Sequence, residues 1–303
     1  MNRAGNFISK QCKLMLENKQ YAIVCAAVFS VLPFVSWLSV ALVCLVTLRK
    51  GAKSGFDILL PALVIHSVPL MMLVPLSGAL INTFITYMPC YLAALCLRKT
   101  GKWQMAFGAF FIQAFLGCLL LQLLAPNFIL GQFEQFKMLI MQYQELVESS
   151  LDGMNSSMLA QLFFGVQMLS VIISSVMSLM VARAIQAKLF VPGGFKNEFM
   201  TFRSSKLSFL VFLGVSLASY YGIPLAINVL PLMLCYFVLA GFTLVYFIFS
   251  NKSQISIFIL LILLILLILL KPTFVLCIYI ILGSLDSLVN FRMYLPSRVG
   301  ESI

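Results

Sequence analysis

Long apolar runs, cut by proline, glycine and short clusters of positive charge, make up most of this chain. They fall near residues 21–32, 36–48, 56–74, 77–97, 103–124, 158–187, 207–222, 226–249, 254–270 and 273–290. An α-helix rises about 1.5 Å per residue, so about 20 residues cross a hydrocarbon core about 30 Å thick. The pattern predicts an all-α fold, a polytopic transmembrane helical bundle of about 8–10 helices. All of it belongs to one membrane domain, 1–303.

The stretch 21–48 is the least regular. As a single helix it would be about 42 Å long, too long for the core without strong tilt. Pro33 and Trp37 lie near its middle. A proline there breaks the helix, and a tryptophan suits the membrane–water interface. A hairpin of two short helices is expected.

Two segments between the spans are amphipathic. In an outer segment, 126–157, the residues Phe133, Phe136, Ile140, Tyr143 and Val147 recur at three-four spacing over 132–150. That spacing predicts a helix that rests on the outer interface or covers a solute entrance. In a cytoplasmic interfacial loop, 189–206, Phe195, Phe199 and Phe202 share one side, near Lys196, Arg203 and Lys206. Aromatic insertion beside anionic lipid suits that face, as does docking to a cytoplasmic partner.

Composition agrees with a lipid environment. Hydrophobic residues make up 62% of the chain and charged residues 10%, against about 25% charged in soluble domains. The net charge of +11 raises the question of nucleic acid. The basic residues, however, sit in clusters at the ends of apolar runs, as on a cytoplasmic membrane face. No nucleic-acid binding is expected. With the N-terminus (1–20) and C-terminal tail (291–303) cytoplasmic, every basic cluster follows an even number of crossings. Of the 20 lysines and arginines, only Lys137 and Lys271 then fall outside. The first apolar run is expected to serve as the insertion signal of a multi-pass membrane protein.

Catalytic signatures are missing from the sequence. His66 is the only histidine, which excludes HExxH zinc chemistry and histidine-cluster metal sites. No GxSxG occurs, and GAKSG (51–55) lacks the phosphate-loop spacing. The eight cysteines are scattered without CxxC pairing and read as small core residues. No enzymatic activity, cofactor or metal is expected.

Polar residues inside apolar runs are costly in lipid unless partnered, and so mark candidate sites. His66 lies between Pro61 and Pro69, and Asn82 and Thr86 share a face of the next run. Gln113 lies in the fifth, and Asn228 lies between Pro224 and Pro231. These five are the candidate lining of a solute cavity. Ser170, Ser174, Ser178, Ala182 and Gln186 repeat every four residues. That stripe permits close helix approach with hydrogen bonding, and would equally line a hydrophilic path.

Two motifs carry a resemblance. PGGFKNEFMTFR (192–203), after a long apolar run, and LGSLDSLVNFRMYL (282–295), at the close of the last one, resemble the YybS-like family of bacterial membrane proteins. That family is largely uncharacterised and is grouped by architecture with the substrate-binding S components of energy-coupling-factor transporters. The chain departs from it at Asn290, where the closing motif has an acid before Phe-Arg; Asp286 is one turn away. The resemblance implies a bacterial inner membrane and a solute-binding transport component. It also implies a membrane coupling subunit and cytoplasmic ATPases as partners, because no nucleotide-binding motif is present here. Phe195, Phe199, Phe202, Arg203, Asp286 and Arg292 are then the candidate docking residues. A non-catalytic envelope scaffold acting through helix–helix contacts is the alternative.

Overall fold

The computed structural model describes residues 3–32, 35–72, 75–125, 127–141, 156–250 and 271–294. Among them are twelve helices and no strand. They are α1 (Arg3–Glu17), α2 (Lys19–Val31), α3 (Ser36–Lys50), α4 (Ala52–Met71), α5 (Leu76–Thr100) and α6 (Trp103–Leu124). These are followed by α7 (Phe128–Met141), α8 (Ser156–Phe190), α9 (Gly194–Thr201), α10 (Lys206–Tyr220), α11 (Pro224–Ser250) and α12 (Pro272–Leu288). A 3₁₀ turn, Phe291–Met293, closes the described chain. Five of the helices, α4, α5, α6, α8 and α11, are long and apolar enough to cross a membrane. The chain is a multi-pass membrane protein. The apolar run 254–270, the residues Tyr143 and Val147, and most of the tail lie outside the described residues.

The described helices outnumber the expected 8–10 because α1, α7 and α9 lie outside the apolar runs read from sequence. α7 and α9 are the amphipathic segments read from sequence, although α7 starts at Phe128, ahead of the expected 132. The amphipathic α1 was not anticipated, because its polar residues mask the buried pair Cys12 and Leu16. The break in 21–48 is present, between Val31 and Ser36. As the runs 56–74, 77–97 and 226–249 imply, α4, α5 and α11 continue through Pro61, Pro69, Pro89 and Pro231. Neighbouring helices can re-satisfy the backbone groups that a proline frees in a membrane helix.

The chain folds as two compact units, Met1–Gln113 with Leu169–Asn197, and Ala114–Met168 with Glu198–Ile303. In the first, α2, α3, α4 and α5 pack on one another. The turn between α3 and α4 needs glycine, since Gly51 has φ +107°. Gly55 then lets α4 start flush against Thr47 of α3, where a Cβ would sit 2.9 Å from that of Thr47. Arg98, near the end of α5, donates 3.0 Å to the carbonyl of Thr47. That carbonyl already accepts the Gly51 N–H at 3.0 Å, so Arg98 is its second donor and ties the end of α5 to the end of α3. Gln186 of α8 reaches the carbonyl of Leu48, and Arg49 lies 3.9 Å above the Phe190 ring. These contacts gather the C-terminal ends of α3, α5 and α8 at one end of the unit.

Deeper in the same unit, the thiols of Cys44 (α3) and Cys90 (α5) lie 3.0 Å apart, and Cys90 donates 3.1 Å to the carbonyl of Ser175 in α8. Both cysteines are fully enclosed. In the folded protein, a membrane-permeant maleimide is expected to leave Cys44 and Cys90 unmodified while labelling exposed Cys277. Mass spectrometry of the alkylated chain reads this directly, and modification of Cys90 before unfolding would contradict the α3–α5–α8 packing.

In the second unit, α11 and α12 pack backbone to backbone. A Cβ on Gly241 would sit 2.8 Å from the Tyr279 carbonyl carbon, and one on Gly283 would sit 2.9 Å from the Gly241 nitrogen. Lipid provides no hydrophobic drive for helix pairing, so membrane helices depend on such close approach. Gly165 of α8 meets α11 in the same way, with a Cβ position 2.5 Å from the Asn228 carbonyl oxygen. α10 adds Phe212 against Phe237 of α11 at 4.7 Å. Phe133 and Phe136 of α7 lie on Phe163 of α8, the second stacked at 4.3 Å. α7 is thus anchored on its own unit by rings.

Candidate functional site

The serine stripe of α8 faces a cleft. Residues four apart share a helix face, and Ser170, Ser174 and Ser178 bring that face to the start of α3 and the middle of α5. The cleft holds about 270 Å³ and is lined by Ser36, Trp37, Val40, Thr86, Ser170, Val171, Ser174, Ser175 and Ser178. Six of these nine side chains carry hydroxyls and none is charged. The Ser178 hydroxyl lies 2.9 Å from the Ser174 carbonyl and 3.1 Å from the Trp37 carbonyl. Thr86 donates 2.8 Å to the Asn82 carbonyl. With these protons committed to backbone, both hydroxyl oxygens keep lone pairs to offer to a guest.

Apolar helices give such a cleft chemical meaning. Hydroxyls facing lipid without partners are unfavourable, so a concave row of them suits water or a polar solute. Ligand sites typically run from about 300 to 1,000 Å³, which places this one at the small end. The lining offers neutral donors and acceptors and one indole. It suits a small, uncharged, hydrogen-bonding molecule. Trp37 is thirteen residues before Lys50, so the cleft lies about 20 Å along α3 from the basic end of the unit.

Of the five residues expected to line a cavity, Thr86 does so. His66 donates from Nδ1 to the carbonyl of Ser30 at 2.9 Å, capping the end of α2, and its ring meets Tyr87 edge-on at 5.5 Å. Asn82 is exposed, one turn before Thr86. Gln113 donates 3.0 Å to the Ala109 carbonyl and 3.4 Å to the Pro89 carbonyl, joining α6 to α5. Asn228 belongs to the second unit, fully buried where α11 meets Gly165. Sequence reasoning missed Val40, Val171 and Ser175 of the lining and, with more consequence, Ser36 and Trp37. These last two sit in the hairpin of short helices, and only the tertiary contact to Ser178 reveals their role.

No family model, curated protein or solved structure matches this chain. Its function is therefore inferred from geometry.

A second constellation joins the two motifs at 192–203 and 282–295. The carbonyls that close α12 lack intrahelical partners, and Arg203 supplies them, Nε at 2.6 Å from the Asp286 carbonyl and a terminal nitrogen at 3.1 Å from that of Ser287. Arg292 does the reverse for the segment after α9, donating to the carbonyls of Met200 and Phe202, the latter at 2.6 Å. It also reaches the Thr243 hydroxyl at 3.3 Å and the Asp286 carboxylate at 3.4 Å. Burial pulls the Arg292 pKa down, and the Asp286 carboxylate acts against that. Asp286, itself 0% exposed, thus pairs with the motif arginine, where Asn290 carries no charge to do so.

The rings expected to dock a partner lie on the chain's own helices. Phe195 meets Trp103 at 6.2 Å, Phe199 meets Phe242 and Tyr246 at 6.2 and 5.7 Å, and Phe202 meets Tyr236 at 5.9 Å. The six candidate docking residues therefore build internal joints. Lys196, Met293 and Tyr294, beside them in sequence, are exposed.

Proposed function

We propose that this protein binds a small uncharged polar solute within the membrane and serves as the solute-recognising component of a transport system. The observation that carries the reading is the cleft, with six hydroxyl side chains and Trp37 around about 270 Å³ and no charge among the lining residues. Neutral hydroxyls impose little desolvation penalty on an uncharged guest, whereas a charged guest would lose its hydration without a counter-charge. The resemblance to the YybS-like family and to energy-coupling-factor S components supports the same reading. In that arrangement a membrane coupling subunit and cytoplasmic ATPases supply the driving energy, and the chain sits in a bacterial inner membrane.

The test is to purify the tagged chain in mild detergent and analyse by mass spectrometry the molecules it releases on denaturation. One small neutral molecule at about one copy per chain is expected. Ser174→Leu, which fills the cleft from an exposed position on α8, is expected to lower retention at least about tenfold and to leave the melting temperature unchanged or higher. The lost hydroxyl partner and the lost volume together justify that size of effect. A chain that carries no small molecule but copurifies stoichiometrically with envelope-building proteins would favour the scaffold reading.

A further inference from the structure

We infer that the basic end of the unit formed by Met1–Gln113 and Leu169–Asn197 is a binding surface for acidic phospholipid headgroups, with α1 as its flat-lying clamp.

The contacts fix the geometry of this end. Arg98 joins the ends of α5 and α3, Arg49 lies on Phe190 at the end of α8, and Trp103 at the start of α6 meets Phe195 of α9. Lys19 at the start of α2 pairs with Asp57 near the start of α4 at 2.7 Å. α1 packs on α2, and burial raises the Cys12 thiol pKa, with the nearby Lys188 of α8 acting against it. The same end therefore carries the exposed cations Lys10, Lys13, Lys50, Lys53, Lys99 and Lys102. The described acidic residues of this unit are Glu17 and Asp57, and the second is already paired. A ring of cations around the ends of apolar helices lies at the depth of lipid headgroups, where each lysine or arginine adds attraction to an anionic leaflet.

α1 is built for that position. Cys12 and Leu16 are buried at 8% and 5% exposure, while Lys10, Lys13 and Leu14 on the other side are exposed. An apolar residue flanked by lysines is poorly suited to bulk water and well suited to the boundary between headgroups and acyl chains. Phe190 and Val191, exposed at the end of α8, repeat the combination. An acidic protein could neutralise the same cations, but it would leave these apolar side chains in contact with water. The mixed surface selects a lipid.

The experiment uses the full chain in detergent, titrated with phosphatidylglycerol or phosphatidylcholine, with retained lipids counted by native mass spectrometry. Preferential retention of phosphatidylglycerol, weakened by salt, is expected. Lys10→Glu with Lys13→Glu should reduce that preference on the order of tenfold or more. Lys99→Gln with Lys102→Gln, which leaves α1 intact, should reduce it less. Amide exchange in α1 should also be slower in phosphatidylglycerol vesicles than in phosphatidylcholine vesicles. Equal retention of the two lipids, or a preference that both variants leave unchanged, would overturn the inference. So would α1 exchange that is indifferent to lipid charge, with the cations then left for a protein partner.

Discussion

Replacing Gly241 or Gly283 with leucine is expected to separate α11 from α12 and destroy the second unit's packing. The side chain would enter space occupied by backbone, 2.8 Å from the Tyr279 carbonyl carbon in one case and 2.9 Å from the Gly241 nitrogen in the other. Backbone cannot move aside as a flexible side chain can. Overpacking a core costs about 1–3 kcal/mol where side chains yield, and the loss here should lie above that range. Gly214→Leu in α10 is the matched control, because nothing lies within 4 Å of its added Cβ. Size-exclusion profiles in detergent should show the first two variants aggregated and the third monodisperse. A monodisperse Gly283→Leu with unchanged melting would mean that the α11–α12 contact is looser than described.

Arg292→Met should be nearly as severe, for an electrostatic reason. It removes the cation beside an Asp286 that is 0% exposed and strips donors from the Met200 and Phe202 carbonyls. Breaking a buried pair from one side costs about 3–5 kcal/mol, whereas replacing both charges by apolar groups is often neutral. For a unit of this size, that corresponds to a fall in melting temperature of roughly 10 °C. Arg292→Met with Asp286→Leu should recover part of the loss, leaving the deficit of the uncapped carbonyls. If the double variant melts no higher than the single one, Asp286 is not the ionised partner of Arg292.

These effects show which parts of the molecule the sequence discloses. Apolar runs reveal helices because the bilayer requirement is local, and the break between Val31 and Ser36 follows from the run's length with Pro33 and Trp37 near its middle. The serine stripe of α8 is equally visible, since its four-residue spacing needs no tertiary knowledge. Its counterpart is not. Ser36, Trp37 and Thr86 lie 142, 141 and 92 residues from Ser178 in sequence, by difference of their numbers, and no local signal says that they face it. The glycine pair fails for the same reason, because one glycine looks like another until the opposing helix is known. Asn82 misleads in the opposite sense. It shares a face with Thr86, yet its side chain is exposed while Thr86 reaches the cleft.

The two motifs at 192–203 and 282–295 illustrate a further limit. Their basic and aromatic residues read naturally as an outward docking face. In the folded chain Arg203 and Arg292 cap helix ends across the two motifs, because free carbonyls in a low-dielectric setting attract guanidinium groups. Charge near a membrane face thus serves two purposes here. Arg98, Arg203 and Arg292 reach helix-end carbonyls within the protein, while Lys10, Lys13, Lys50, Lys53, Lys99 and Lys102 remain exposed.

Water access to the serine-lined cleft tests the central claim most directly. In a chain whose eight native cysteines are replaced, Ser174→Cys and Ile173→Cys would be treated in intact membranes with a membrane-impermeant maleimide. Ile173 is the control, exposed on the neighbouring face of α8 at 44%. The cleft predicts rapid labelling at 174 from the side opposite the basic end, and little at 173. Equal inertness of the two positions would mean that the hydroxyls serve helix packing and that no solute site exists there.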